Sequence, residues 1–326
     1  MLLVLIIPHE WGHLIVAKLC GVKVNEFSMG MGPLLFQKQK GDTMYSVRLL
    51  PLGGYCAMEG EEEAVDSPTS YSSKSNWQKV AILLAGVTMN IIIAVVVSMI
   101  VVGITGMPST TLETVTPDSP AAEAGLKAGD KILAIDGTAT KSWQDVIDII
   151  DADKDGKSMH FTVERDGETF EKDITPEYID DEQRYIVGIV SKNKRSLVGS
   201  ITGGFRLTGE ITAAFVQGIK MMFQNGVSAD DVAGPVGLVR VVDQSVSYGI
   251  TSYLVLLILV SLNLAFFNLL PIPGLDGGKI FFIILKVISG GRITDDMEYK
   301  ATKVGMILLL TLFVLITFND LKNLFG

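Results

Sequence analysis

The first twenty residues, MLLVLIIPHEWGHLIVAKLC (Met1 to Cys20), decide how the rest of the chain is read. They are apolar enough for a membrane helix, yet Glu10 and two histidines interrupt them in mid-run. On a helix, residues four apart share a face, so His9 and His13 project together with Glu10 at the edge of that face. This is the HExxH spacing: two imidazoles able to bind one Zn²⁺, beside a carboxylate able to take a proton from water that the metal acidifies. Ionisable groups are costly in apolar surroundings, and the chain has only 3 histidines, so two of them flanking a glutamate here mark a functional site. The competing reading is a polar helix contact without metal. A signal peptide would explain the apolar run, but a positive n-region is missing and no small-residue cleavage site precedes Lys18. The segment is therefore expected to stay as a membrane helix.

Outward from this segment, no Asp, Glu, Lys or Arg occurs from Val80 to Leu112 or from Gln244 to Leu275, and Val304 to Asn319 is almost wholly apolar. About 20 such residues span a bilayer, so the expectation is four transmembrane segments, at 1–20, 79–104, 251–286 and 300–320. The averages agree: over 326 residues the charged fraction is 19%, below the usual value of about 25%, and the mean hydropathy is +0.40. Lys+Arg of 27 against Asp+Glu of 36 give −9 with no basic block, which excludes a nucleic-acid-binding footprint. Cys20 and Cys56 cannot make a disulfide framework. Lys18 and Lys23, Lys74 and Lys79, Lys279 and Lys286, and Lys300 and Lys303 lie at one end of each span. Those ends are expected to be cytoplasmic, with the long segment between the second and third spans outside the cell membrane.

That segment divides in two. Residues 105–192 alternate short β-like runs with turns, including HFTVERDGETFEKDI with a hairpin at Asp166 and Gly167, and predict a small α+β domain. Residues 193–250 hold an amphipathic pattern, with Phe205, Ile211, Phe215, Ile219 and Phe223 among polar neighbours. Such a helix suits the membrane surface or, equally, a core-facing position.

A zinc site needs a third protein ligand, and the candidate is Asp276. It ends the charge-free stretch within NLLPIPGLDGG, where Pro271, Pro273, Gly274, Gly277 and Gly278 forbid a regular helix. Broken backbone at membrane depth is tolerated only where it is buried in protein or lines a water-filled cavity. The alternative role for Asp276 is an interfacial helix cap. Glu59, Glu61, Glu62 and Glu63 read as a solvated acidic run, and His160 as a surface residue of a strand.

Taken in order, HEWGH, the Ala85, Gly86 and Asn90 pattern, and NLLPIPGLDGG closely resemble the bacterial site-2 protease family, zinc metalloproteases that cut within the membrane. FSMGMGPLLF and YSVRLLPLGGYCAMEGE, in the cytoplasmic-side loop 21–78, look like that family's membrane-associated Gly-x-Gly segment and β-hairpin. SPAAEAGLKAGDKILAIDG is similar to a bacterial PDZ domain, and GPVGLVR to the segment before the third span. The arrangement is that of the RseP/RasP type with one PDZ domain. There are departures: Pro8 stands directly before the motif, Val87 replaces a usual proline, and the lead before His9 is short.

The resemblance implies a multi-pass α-helical membrane protein with a membrane-associated β-hairpin and an extracytoplasmic α+β PDZ domain. It implies that His9, His13 and Asp276 hold Zn²⁺, that Glu10 is the general base, and that Asn268, with Asn263 as a weaker candidate, lies near the substrate. The implied substrates are transmembrane segments of single-pass membrane proteins already cut once, such as anti-sigma factors and remnant signal peptides, in contact with the lipid bilayer. Unwinding a substrate helix in lipid strands backbone groups at several kcal/mol each, a cost that an exposed strand edge removes by adding the segment as a strand. Ser46 to Tyr55, with Gly53 and Gly54 allowing close approach, is the expected edge; a plain cytoplasmic hairpin is the alternative. The PDZ groove is read either as a receptor for a new C-terminus or as a size filter. The competing functional class is a catalytically silent membrane scaffold that binds partners through its PDZ domain.

Overall fold

The computed structural model describes residues 1–61, 65–153, 155–179, 184–226, 234–290 and 292–325. Glu62 and Glu63 of the acidic run, and the side chain of Phe223, lie outside the described residues. The chain forms two units, one of Met1–Val101 with Gly204–Gly326 and one of Val102–Gly203.

In the first unit, helix α1 (Leu2–Leu19) carries Pro8 within its first turns, and Gly21 at φ +68° lets the chain turn away after it. The hairpin that follows, β1 (Val24–Lys40) and β2 (Thr43–Met58), is antiparallel and folded back on itself. Glu26, Phe27, Ser28 and Met29 each pair on both sides, with Ala57, Cys56, Tyr55 and Gly54 on one and with Met44, Tyr45, Ser46 and Val47 on the other. The bend needs glycine: Gly30 and Gly32 sit at φ +90° and +80°. Four strand segments result, in the order 54–58, 24–29, 44–47 and 34–40. Ser46 is thus an interior residue, paired with Ser28 and Gln37, and the expected edge at Ser46 to Tyr55 is corrected: the margin without a strand partner among the described residues begins at Gly53 and runs towards Met58. Alternation of side chains reports faces, not which strand has a neighbour, so the error was built into the reading.

Helices α2 (Asn76–Thr105), α7 (Ile250–Leu269) and α9 (Asp295–Phe325), with α1, are long and apolar enough to cross a membrane, by length and composition. Leu5, Ala94, Val97, Leu257, Ile258 and Leu262 form one buried cluster joining α1, α2 and α7; Leu14, Ala17, Val24, Phe27, Met58, Tyr71 and Ile82 form another joining α1, the hairpin and α2. The stretch 251–286 is two helices, not one: α7 ends at Leu269, Leu270 turns extended (ψ 144°), and α8 (Asp276–Ile288) starts on Asp276. α5 (Leu197–Asn225) and α6 (Pro235–Ser247) precede them. α5 is not a bare ribbon. Thr208 donates to Ser98 of α2 (2.9 Å, both buried), and Phe215 stands edge-on to Phe266 of α7 at 5.3 Å.

The second unit is built on an antiparallel sheet in the order β10-β3-β4-β6-β7, namely Ile189–Lys194, Met107–Val115, Lys131–Ile135, Met159–Arg165 and Glu168–Ile174, with β5 (Thr138–Ala139) beside β4. α3 (Pro120–Glu123), α4 (Trp143–Ala152) and the β8–β9 pair (Glu177–Ile179, Arg184–Ile186) complete it. Its core is Leu112, Ile132, Ile135, Val146, Phe161, Val163 and Ile174, and the β6–β7 turn has Asp166 and Gly167 both at positive φ. Asp130, fully buried, is held by Arg165 at 2.6 Å. His160 is a surface residue between Glu171 (3.1 Å) and Asp173 (2.7 Å).

Candidate metal centre

His9 and His13 stand one turn apart on α1 and are buried, with rings edge to face at a centroid distance of 4.8 Å. What clears the space for them is glycine. A Cβ at Gly86 of α2 would overlap His13 Nε2 and His9 Cε1, and one at Gly12 would meet Ala85 O at 2.5 Å. α1 and α2 therefore touch backbone to backbone, with the rings facing a bare stretch of α2. His13 Nδ1 lies 2.8 Å from Ile82 O and donates a hydrogen bond to that carbonyl, so that in the neutral imidazole Nε2 carries the lone pair. Asn90, 1% exposed, reaches His9 Nδ1 at 3.2 Å, and its Oδ1 is otherwise unpartnered, so a half-turn of the amide offers an acceptor to Nδ1–H.

The third group arrives from the far end of the sequence. Gly277 and Gly278 pack so closely on the carbonyls of Leu269 and Ile272 that any side chain would collide, and this fold-back points Asp276 at the histidines. Its Oδ2 is 3.2 Å from His9 Nε2 and 3.4 Å from His13 Nε2, and the two Nε2 atoms are 3.1 Å apart. The candidate ligand atoms lie within 4.8 Å of one another, and Asp276 Oδ2 has no hydrogen-bond donor among the described residues. Three electron-rich atoms facing one point ask for a cation. Tetrahedral zinc with bonds of about 2.0–2.1 Å sets its ligands roughly 3.3 Å apart, so the donor set fits that ion in type and spacing.

These groups lie at a cavity of about 990 Å³ that is also lined by Glu10, Asn90, Asn268 and the margin Gly53 to Met58. A Cβ at Gly54 would lie 3.5 Å from Glu10 Cγ, so the strand margin passes directly beside the carboxylate. Asn268 Nδ2 is 3.5 Å from His9 Nε2. Tyr55 lines the same cavity, with the Arg48 guanidinium 5.6 Å from its ring centre. Arg48 and Ser46 both donate to Glu26 Oε1; burial pushes that carboxyl up, and these donors outweigh it and hold the carboxyl below its ordinary value. Burial, with the charges of Glu10 and Glu61, pushes the Cys56 thiol up to about 12, which makes it an inert wall residue.

Of the residues singled out in the sequence, the structure brings together His9, Glu10, His13, Asp276, Asn268, Gly53, Gly54 and Tyr55. Asn263 does not join them: five residues before Asn268 on α7, it turns to another face, with its buried Oδ1 unpartnered. The acidic run is also corrected. Glu61 is not solvated but pairs with Lys279 at 2.5 Å inside the cavity wall, and Glu59 pairs with Lys23 and accepts from Thr69. Lys279, an ionisable residue one turn beyond Asp276 in an apolar helix, was the available signal for this pair.

Two imidazoles and a carboxylate converging on one point, with a second carboxylate alongside, form a donor set that could serve a mononuclear metal-dependent hydrolase. The family model described as peptidase family M50 matches residues 1–312. The chain belongs to that family, the site-2 proteases, and is a zinc metalloprotease. A Clostridium acetobutylicum protein carrying a zinc-metalloprotease name is 34% identical over 97% of this chain and 94% of its own length. A Fusobacterium nucleatum protein, also named for a zinc metalloprotease, is 35% identical over 100% and 98%. The regulator of sigma-W protease RasP of Bacillus subtilis is 28% identical over 98% and 96%. Among solved structures, the PDZ domain of an SdrC-like protein of Listeria monocytogenes matches 27% of this chain and 87% of its own at 33% identity, with a TM-score of 0.23.

Proposed function

We propose that this protein is an intramembrane endopeptidase that hydrolyses peptide bonds in the transmembrane segments of single-pass membrane proteins. The observation that carries this reading is the placing of Glu10, the convergent His9, His13 and Asp276, and an unpaired strand margin around one cavity walled by apolar helices. In this reading His9 and His13, through Nε2, and Asp276, through Oδ2, hold zinc. Bound there, zinc acts as a Lewis acid that polarises a carbonyl and acidifies water. Glu10 takes a proton onto its carboxylate and returns it to the leaving amine. The margin Gly53 to Met58 receives the unwound substrate as an added strand, with its backbone groups exchanging hydrogen bonds. Asn268 holds the extended segment by donating from Nδ2 to a substrate carbonyl.

The position of the basic residues supports a cell-membrane location with the active site towards the cytoplasm and the unit Val102–Gly203, read as a PDZ domain, outside. The name of the Bacillus relative, a regulator of a sigma factor, supports anti-sigma factors as substrates, alongside signal-peptide remnants. The test combines metal analysis with cleavage of a model transmembrane substrate by wild type and Glu10→Gln. The expected result is zinc in both proteins and a loss of about 10²–10⁴-fold in cleavage by the variant. Zinc absent from wild type, or equal cleavage by the variant, overturns the proposal.

A further inference from the structure

The two halves of the candidate metal centre are held in unlike ways. His9 and His13 are carried by α1, whose inner face is buried against α2 and the hairpin. Asp276 is carried by the first turn of α8, which has no side-chain cap at its N-terminus and leaves Phe281, Ile284, Val287 and Ile288 exposed. Its start is seated by Gly277 and Gly278 on the carbonyls of Leu269 and Ile272, and Ile283 is buried beyond them. Its later cation, Lys286, ties it forward to Asp295 and Glu298 of α9.

Among the described residues, a polar tie joins α8 to the loop after the strand margin. Lys279 lies three residues beyond Asp276, on the same side of the helix, and its Nζ is 2.5 Å from Glu61 Oε1. The side chains are 29% and 15% exposed, and both line the cavity, where Lys279 is the only Lys or Arg among the described residues. Glu61 belongs to the histidine side. Glu61 N donates to Met58 O, Glu59 N donates to Lys23 O, and Tyr71 N donates to Glu59 O, so the loop after the strand margin is bonded to the turn that ends α1. A pair this sheltered from water is screened little, and loss of either partner strands the other.

We infer that Glu61 and Lys279 form a positioning clamp that holds the first turn of α8, and with it the Asp276 carboxylate, at ligand distance from His9 and His13. The clamp rests on the reading of those three residues as the zinc site. Neither partner touches the reacting atoms; both act through Asp276. Because Glu61 follows the margin Gly53 to Met58, the strand proposed to receive substrate and the helix that completes the metal centre share one fastening.

The experiment measures zinc affinity of the full chain in detergent by competition with a chelating dye, for wild type, Lys279→Met, Lys279→Arg, Glu61→Gln and the Lys279→Met/Glu61→Gln double variant. Lys279→Met and Glu61→Gln are each expected to weaken zinc binding about 10- to 100-fold. Lys279→Arg keeps the charge and stays within about threefold of wild type, and the double variant is no weaker than the worse single one, since both changes remove one interaction. Thermal unfolding of the metal-free proteins separates general destabilisation from loss at the site. Affinities of both single variants within about threefold of wild type, or a double variant that loses the product of the two single losses, overturn the clamp. Wild type that binds no zinc overturns instead the reading of the site on which the clamp rests.

Discussion

His9 and His13 meet Asp276 at 3.2 and 3.4 Å, and His160 meets Glu171 and Asp173 at 3.1 and 2.7 Å, so by distance alone the helical cluster and the sheet cluster are equals. They differ in direction and in shelter. In the first cluster each histidine turns the same nitrogen, Nε2, towards one carboxylate oxygen, and the side chains are 7–15% exposed. In the second, one ring uses opposite nitrogens for two carboxylates, with side chains 45–75% exposed. A ring engaged at both ends by acids is a solvated ion pair; two neutral rings that meet neighbours through Nδ1 and turn both Nε2 lone pairs to one point make a nest for a cation. Residue type and proximity do not make a metal centre. Convergence and burial do.

The strongest way to break this contrast is to remove one histidine from each cluster. His13→Ala is expected to abolish both zinc content and cleavage, and His160→Ala to leave both within about twofold of wild type, since exposed ion pairs contribute little. Metal analysis after dialysis decides it; zinc lost from the His160 variant would erase the distinction. A finer probe is Gly86→Ala, which adds one methyl where both rings need clearance. Overpacking of this kind costs about 1–3 kcal/mol, and here it falls on the two proposed ligands, so zinc should be held roughly 10- to 100-fold less tightly. Next comes Asn268→Ala, expected to keep its zinc and lose about 3- to 10-fold in kcat/KM, the size of one neutral hydrogen bond to substrate. A loss of zinc in that variant would move Asn268 from the substrate to the metal centre.

The smallest effect belongs to His160. Its carboxylate neighbours Asp173 and Glu171 hold the imidazole above the ordinary value of about 6.5. A raised value means that the folded state binds the proton more tightly, so the contribution is fully present below about pH 6.5 and fades as pH rises through the folded value. Thermal unfolding of His160→Gln should fall slightly below that of wild type at pH 5.5 and coincide with it at pH 9. Coincidence at both would show that the surface pair contributes nothing measurable.

The sequence showed the site more clearly than its supports. His9, Glu10 and His13 were legible because a helix turns a fixed spacing into a shared face. Asp276 stood out as a charge among prolines and glycines in an apolar run, but by itself it read better as a helix cap, and only the resemblance to the family made it a ligand candidate. The strand margin was misplaced because β1 is paired on both sides, which depends on the bend at Gly30 and Gly32 and leaves no periodic trace. Glu61 was hidden by its acidic neighbours and Lys279 by its resemblance to a span-end charge; the two are 218 residues apart and only the fold pairs them.

The short path from Ile82 to Gly86 has a further consequence. Ile82 O accepts the hydrogen bond from His13 Nδ1–H and Gly86, four residues on, leaves room for both rings, so a single turn of α2 serves as ledge and as clearance. In a saturation mutagenesis map this turn should stand out as a patch of intolerance remote from the HExxH motif in sequence. Its tolerated alphabet at position 86 would be a single letter, while Ile82, which contributes only its carbonyl to the ring, would accept any apolar side chain that fills the same buried volume.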